Sequence, residues 1–203
     1  MLNIETLPLG DNQTNCYLVW GDGSDACVVI DPGYAPDLIL NRVAALGKTV
    51  EAVCLTHAHF DHVGGVQKIV EVSDCPLYIS QKEWAMPASW LFPMNGAAID
   101  RLTYYKEGDR LSLAGGEFLV LETPGHTPGC VCLKSEDVIF TGDTLFAGSI
   151  GRTDFPGGDW DTICSSLIRL SELDENLTVY PGHGESTTIG NENRTNPFVT
   201  RLI

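Results

Sequence analysis

The stretch Thr56-His57-Ala58-His59-Phe60-Asp61-His62 places three imidazoles and a carboxylate within six residues. Neutral imidazole and carboxylate are ligands for zinc, iron or manganese far more than for calcium. Packed together without a metal, such histidines would repel when charged and leave polar atoms unpaired when neutral. His57 and His59 are two residues apart and can point the same way, while Asp61 and His62 can face a second position. Only two other histidines exist, in Thr123-Pro124-Gly125-His126 and in Tyr180-Pro181-Gly182-His183. Asp143 has a similar setting in Phe140-Thr141-Gly142-Asp143. Taken singly, each of these three fits an ordinary turn. Together with the first cluster they make seven potential ligands, too many for one tetrahedral ion and suited to two divalent ions sharing a carboxylate. The expected partition is His57, His59 and His126 on one ion, Asp61, His62 and His183 on the other, and Asp143 between them. Such a pair keeps room for a shared water, which is the mark of a catalytic site.

Those ligands need rigid strand ends to hold them. Leu2–Leu9, Asn15–Trp20 and Ala26–Ile30 are β-prone runs separated by the turn signals Gly10-Asp11-Asn12 and Gly21-Asp22-Gly23-Ser24. Leu38, Ile39, Val43 and Leu46 have helical spacing, and Gly47 is suited to a C-cap. Ala52–Thr56 is a buried-strand run that ends directly on His57. A helix over Val63–Val72 and a strand over Pro76–Ser80 are predicted next. Residues 81–100 crowd Trp84, Met86, Trp90, Leu91, Phe92 and Met94 without periodicity, which suits either a core cover or a pocket lid. Strands are predicted over Arg110–Leu113, Glu117–Glu122, Cys130–Lys134, Asp137–Thr141 and Thr178–Tyr180, with a helix over Asp159–Leu173. His126, Asp143 and His183 each follow one of these strands. Two similar halves in a single domain over residues 1–203 fit this order.

Composition narrows the partners. The 203 residues are 43% apolar and carry 27 acids against 12 bases, a formal charge of −15. That charge disfavours nucleic acid and anionic membranes. No apolar run is long enough to span a bilayer, and Met1-Leu2-Asn3-Ile4-Glu5-Thr6 lacks the basic start of a signal peptide, so a cytoplasmic setting is expected. Seven cysteines, with no C-x-x-C pair and most inside apolar runs, read as small buried hydrophobes in a reducing compartment.

The pattern H-x-H-x-D-H with separate glycine-bracketed His126, Asp143 and His183 resembles the metallo-β-lactamase superfamily over nearly the whole chain. The resemblance implies an α/β fold, a four-layer αββα sandwich with metals at one edge. Phe146–Phe155, containing Gly151-Arg152-Thr153-Asp154-Phe155, resembles both the glyoxalase II group, the hydroxyacylglutathione hydrolases, and its neighbour, the persulfide dioxygenases. The tail Thr187–Phe198 resembles the short bacterial members of the glyoxalase II group. Two departures concern glutathione. The chain stops at Ile203, near where that group's C-terminal helical domain would begin, and Glu185-Ser186 stand where an aromatic substrate contact is usual.

The activity this implies is hydrolysis of a small-molecule thioester by two divalent ions, zinc first, with iron or manganese as alternatives. The attacking group would be a shared hydroxide, since metal binding lowers the pKa of water to about 7. Asp61 and Asp143 would act at the reacting centre. Arg152, nine residues past Asp143, would grip a substrate carboxylate or else pair with Asp154 or Asp159. Competing readings are a persulfide dioxygenase with one iron on His57, His126 and Asp143, and a lactonase. A β-lactamase is disfavoured by His62 and the missing export signal, a nuclease by the charge, and a non-catalytic binder by the intact ligands.

Overall fold

The computed structural model describes residues 1–86 and 97–203. β1 (Leu2–Leu9), β2 (Thr14–Gly21) and β3 (Ala26–Ile30) form an antiparallel meander. α1 (Pro36–Ala45) then leads to β4 (Thr49–Cys54), parallel to β3. α2 (Phe60–Val63) and α3 (Val66–Ser73) precede β5 (Leu77–Ser80), and α4 (Gln81–Trp84) and α5 (Ala97–Asp100) precede β6 (Leu102–Tyr105). These strands make a six-stranded sheet ordered β1-β2-β3-β4-β5-β6. The second half continues with β7 (Arg110–Leu113), β8 (Gly116–Glu122), β9 (Val131–Lys134) and β10 (Val138–Gly142). A short hairpin of β11 (Leu145–Phe146) and β12 (Ser149–Ile150) follows, then α6 (Trp160–Ser171) and β13 (Thr178–Pro181). β14 (Thr187–Thr188), α7 (Ile189–Thr195) and a 3₁₀ turn at Val199–Arg201 complete the described elements. The second sheet runs β14-β13-β10-β9-β8-β7.

Alternation along the strands produces the layers, because successive side chains point to opposite faces. In β2, Cys16 and Leu18 pack with the helices while Tyr17 and Val19 face the other sheet. In β3, Cys27 and Val29 do the first, Val28 and Ile30 the second. The alternation slips in β4, where the register shifts so that Cys27 pairs with Val50 and Val28 with Ala52. Glu51 is the extra residue, as in a β-bulge, and its carboxylate accepts the Ala114 amide at 2.7 Å. Between the sheets, Tyr17, Val28, Ile30 and Ala52 meet Phe118, Val120, Leu133 and Phe140.

Helices cover both outer faces. Ile39 and Val43 of α1 and Val66, Ile69 and Val70 of α3 cover the first sheet. Ile163, Leu167 and Leu170 of α6 cover the second, spaced to share one helix face. Asp159 caps α6 by accepting the Thr162 amide at 2.7 Å. Each buried leucine or isoleucine contributes roughly 1.5–3 kcal/mol. The order helix, sheet, sheet, helix is the expected αββα sandwich.

The helix predicted over 63–72 begins earlier, as α2, and is interrupted at Gly64-Gly65 before α3. β6, β11, β12, β14 and α7 were not predicted. Of the 81–100 segment, residues 87–96 lie outside the described residues; Trp84 packs on the helix-side core and Met86 is buried. All seven cysteines are free thiols, six of them buried. Among the described residues, no helix is long and apolar enough to cross a membrane.

Candidate metal centre

β4 delivers the first histidines. The chain leaves Cys54 through Leu55 and Thr56 to His57, fully buried at the sheet edge. Asp31, just past β3, fixes this exit: its carboxylate accepts the Thr56 amide at 2.8 Å and the Thr56 hydroxyl at 2.6 Å. The same carboxylate takes Nδ1 of His62 at 3.0 Å. Gly33 lets the Asp31-Pro32-Gly33 turn press on α2, since a Cβ there would stand 1.6 Å from the Asp61 carbonyl oxygen. α2 then presents Asp61 and His62.

The other three come from the second sheet. His126 follows β8 and donates Nδ1–H to the Arg152 carbonyl at 2.7 Å. Asp143 follows β10. His183 follows β13 and donates Nδ1–H to the Asn12 carbonyl at 3.1 Å. A carbonyl only accepts, so both rings carry their proton on Nδ1 and aim Nε2 inward. His62 is set the same way by Asp31, and His57 by the Thr56 hydroxyl 3.2 Å from its Nδ1. His59 turns Nδ1 inward, 2.9 Å from Nε2 of His126.

All seven residues expected as ligands therefore meet at one edge. The ligand atoms of His57, His59 and His126 lie within 4.8 Å of one another, as do those of Asp61, His62 and His183. Asp143 stands between the groups, with Oδ2 3.6 Å from His126 Nε2 and 3.5 Å from His183 Nε2, and Oδ1 3.3 Å from His62 Nε2. That last pair lacks hydrogen-bond alignment: among the described residues, His57 Nε2, His62 Nε2 and Asp143 Oδ1 are buried with no hydrogen-bond partner. Buried polar atoms are rarely left so. Three of them converging, all of types that coordinate divalent ions, is a donor set that fits a metal. Gly182 makes room, because a Cβ there would meet Asp143 Oδ1 at 2.1 Å.

Charge in the cluster follows its geometry. Burial, then the neighbouring His62, pushes His57 well below the usual histidine range. Burial and His126 lower His59 to about 4, so both imidazoles are neutral at pH 7. Burial opposes charge on His62, but Asp143 and Asp31 on either side outweigh it and hold its pKa well up. Burial is likewise outweighed at His183, which Asp143 and Asp61 raise to about 9. Asp61 and Asp143 are held low despite burial, chiefly by His183 and His62 respectively.

Several partners escaped sequence reasoning. Asn12 Nδ2 and Thr14 Oγ1 donate to Asp61 Oδ2 at 3.1 and 3.0 Å. Asn15 Nδ2 donates to the Pro181 and Gly184 carbonyls and so holds the His183 loop. Glu83, fully buried, accepts hydrogen bonds from both first-group histidine loops. The one available signal for Asp31 was an acid ending a buried strand in Asp31-Pro32-Gly33. Glu83, in Gln81-Lys82-Glu83-Trp84, reads as a surface residue.

The cluster opens on a cavity of about 560 Å³ whose wall includes Phe60, Phe146, Ile150, Phe155 and Arg152. Arg152 reaches the cavity already occupied: its Nε and Nη2 bond Asp154 at 2.7 Å each, and its guanidinium carbon lies 3.8 Å from the Phe155 ring centre. The pair is exposed to water. The backbone of Arg152, through His126, has the closer tie to the cluster.

Comparisons with known proteins find relatives that match nearly the whole chain. A hydroxyacylglutathione hydrolase GloC from Haemophilus influenzae is 38% identical over 98% of both chains. The crystal structure of the BLEG-1 B3 metallo-β-lactamase superposes with a TM-score of 0.87 at 34% identity, covering 98% of this chain and 100% of that one. TTHA1623 in a di-iron-bound form gives 0.82 at 38% identity, covering 96% and 99%. One neighbour is thus itself a β-lactamase, and likeness of fold does not exclude that activity. The model of the metallo-β-lactamase superfamily matches residues 9–183. That span runs from the end of β1 to the last histidine of the cluster, and on it the chain belongs to the metallo-β-lactamase superfamily.

Proposed function

We propose that this protein is a metal-dependent thioester hydrolase of the glyoxalase II kind, acting on a hydroxyacylglutathione or a related small thioester. The observation that carries the reading is the convergence of two histidine-rich groups on Asp143, with three orphaned buried donors, at the floor of a cavity. The likeness to the GloC protein supports the substrate class, and the di-iron form of TTHA1623 supports a two-ion site. Zinc is the first candidate ion, with iron and manganese as alternatives.

Divalent ions held by such residues supply Lewis-acid polarisation of an acyl carbonyl and a lowered pKa for bound water. The chain's own residues do the rest. His57, His59 and His126 would hold one ion, Asp61, His62 and His183 the other, and Asp143 would serve both. The Arg152 and Asn12 carbonyls and the Asp31 carboxylate hold a proton on Nδ1 and so fix the ring orientation that turns each Nε2 toward the ion it would bind. Asp61, held by Asn12 and Thr14, would also steer the attacking water. Phe60, Phe146, Ile150 and Phe155 would shelter the acyl group from solvent. Arg152 would meet a substrate carboxylate only by leaving Asp154. No side-chain nucleophile is called for: Cys130, near the His126 loop, is buried, and burial pushes its thiol well up.

The test is turnover of S-lactoylglutathione by metal-loaded protein, by chelated protein and by chelated protein reloaded with zinc, iron or manganese. The expected result is activity lost on chelation and restored by an ion. Full activity after chelation would refute the reading. Faster opening of a β-lactam or a homoserine lactone, or oxygen uptake with glutathione persulfide on one iron per chain, would assign a different reaction to the same site.

A further inference from the structure

Glu83 is a fully buried carboxylate on α4, outside the seven residues expected as ligands. Among the described residues, its side-chain hydrogen bonds go to the two loops that carry the first histidine group. Oε1 accepts the amide of Ala58, the residue between His57 and His59, at 2.9 Å. Oε2 accepts the hydroxyl of Thr127, next to His126, at 2.7 Å and the amide of Gly129 at 3.1 Å. The Gly129 loop lies directly on Glu83, since a Cβ at Gly129 would stand 2.2 Å from the Glu83 nitrogen. The loops belong to different sheets, one leaving β4 and the other leaving β8. Among the described residues, no hydrogen bond runs from the Glu83 side chain to Asp61, His62 or His183.

Taking the metal reading above as its basis, we propose that Glu83 is a positioning residue that clamps the His57–His59 loop to the His126 loop and thereby sets the ion affinity of that group alone. A buried carboxylate with three donors is rigid, because moving either loop strands a charged oxygen or a backbone amide. Glutamine has the same size but only one acceptor oxygen. In Glu83→Gln, the amide group must face either the Ala58 amide or the Thr127 and Gly129 donors. The loops then separate, and His59 and His126 lose their register.

The experiment is chelator competition on metal-free protein reloaded with zinc, which yields two stepwise affinities for the wild type. Outer partners of metal ligands typically change affinity by about 10–100-fold. Because Glu83 acts through backbone and Thr127, the expected effect is about tenfold on one affinity, with the other unchanged. The tenfold loss must persist in a His183→Ala background, which removes a ligand from the other group. Thr127→Val removes one donor and keeps the shape, so it is expected to give a smaller loss in the same affinity even where Glu83→Gln folds poorly. Glu192→Gln is the control, a buried carboxylate bonded to Gly148, Thr187, Asn191 and Asn196, away from both loops. It is expected to lower stability and leave both zinc affinities alone. Equal weakening of both affinities by Glu83→Gln, or none, would overturn the clamp. A wild-type chain that takes up neither zinc, iron nor manganese would instead overturn the metal reading, and the clamp with it.

Discussion

Asp31→Asn is the substitution that most sharply separates orientation of a ligand from the presence of one. Asp31 sits at φ 51°, in the left-handed region that Asp and Asn tolerate, so the change alters charge and leaves shape and backbone alone. The new amide keeps one oxygen for the Thr56 amide, and the Thr56 hydroxyl can rotate to accept. Nδ1–H of His62 has no such escape: 3.0 Å away it meets an NH₂ group in place of a carboxylate oxygen. The ring then loses that bond or moves its proton to Nε2, the nitrogen facing Asp143. One lost bond to a charged group costs about 1.5–3 kcal/mol. For a chain of this size each kcal/mol is worth about 2–4 °C, so the melting temperature of metal-free protein is expected to fall by about 3–12 °C. Zinc affinity of the Asp61–His62–His183 group is expected to fall about 10–100-fold. The assay is thermal unfolding of metal-free protein beside chelator competition. A variant that keeps wild-type zinc affinity, even with a lowered melting temperature, refutes the idea that Asp31 makes His62 a ligand.

Three further outcomes follow from the same geometry. Gly182→Ala puts a methyl group 2.1 Å from Asp143 Oδ1 and is expected to give folded protein with sharply reduced ion uptake, read by circular dichroism and metal content. Asp154→Ala frees the Arg152 guanidinium, and the KM of an anionic thioester is expected to fall with kcat little changed; an unchanged KM would show that Arg152 does not meet substrate. Metal-free protein is expected to be most stable near pH 6.5. His57 and His59 have folded pKa values below the unfolded value of 6.5, so the unfolded chain binds more protons below that pH and stability rises toward it. His62 and His183 have raised values, so their contribution is present below 6.5 and lost as pH climbs through about 9 at His183. Denaturant melts from pH 5 to about 9, a window set by these histidine shifts, test the maximum.

The histidine and carboxylate cluster was legible because its chemistry depends on residue type: imidazole and carboxylate crowd together for few reasons other than metal binding. The strands were legible where both faces are apolar, as in Ala26–Ile30, or where a run ends on glycine, as in Val138–Gly142. α7 was not, because Ile189-Gly190-Asn191-Glu192-Asn193-Arg194-Thr195 has almost no apolar periodicity. Polar bonds hold it instead. Thr188 caps it, and the buried Asn196 after it donates to Glu192 at 2.8 Å and to the Ser149 carbonyl at 3.0 Å. The family-like tail thus anchors the β11–β12 hairpin that carries Phe146 and Ile150 to the cavity. β6 was hidden beside the aromatic run, with only Tyr105 of its four residues buried. Asp31 and Glu83 were illegible for a further reason: their partners lie 25 or more positions away, and no local pattern announces such bonds.

If the two ligand groups each hold one ion, the metal content of the chain falls by one when either group loses a ligand. Elemental analysis of the wild type, His59→Ala and His183→Ala, each dialysed against the same zinc buffer, tests it most directly. Two ions per wild-type chain are expected, and one in each variant because each loses a ligand from a different group. A single ion in the wild type, or two ions surviving in either variant, would contradict it.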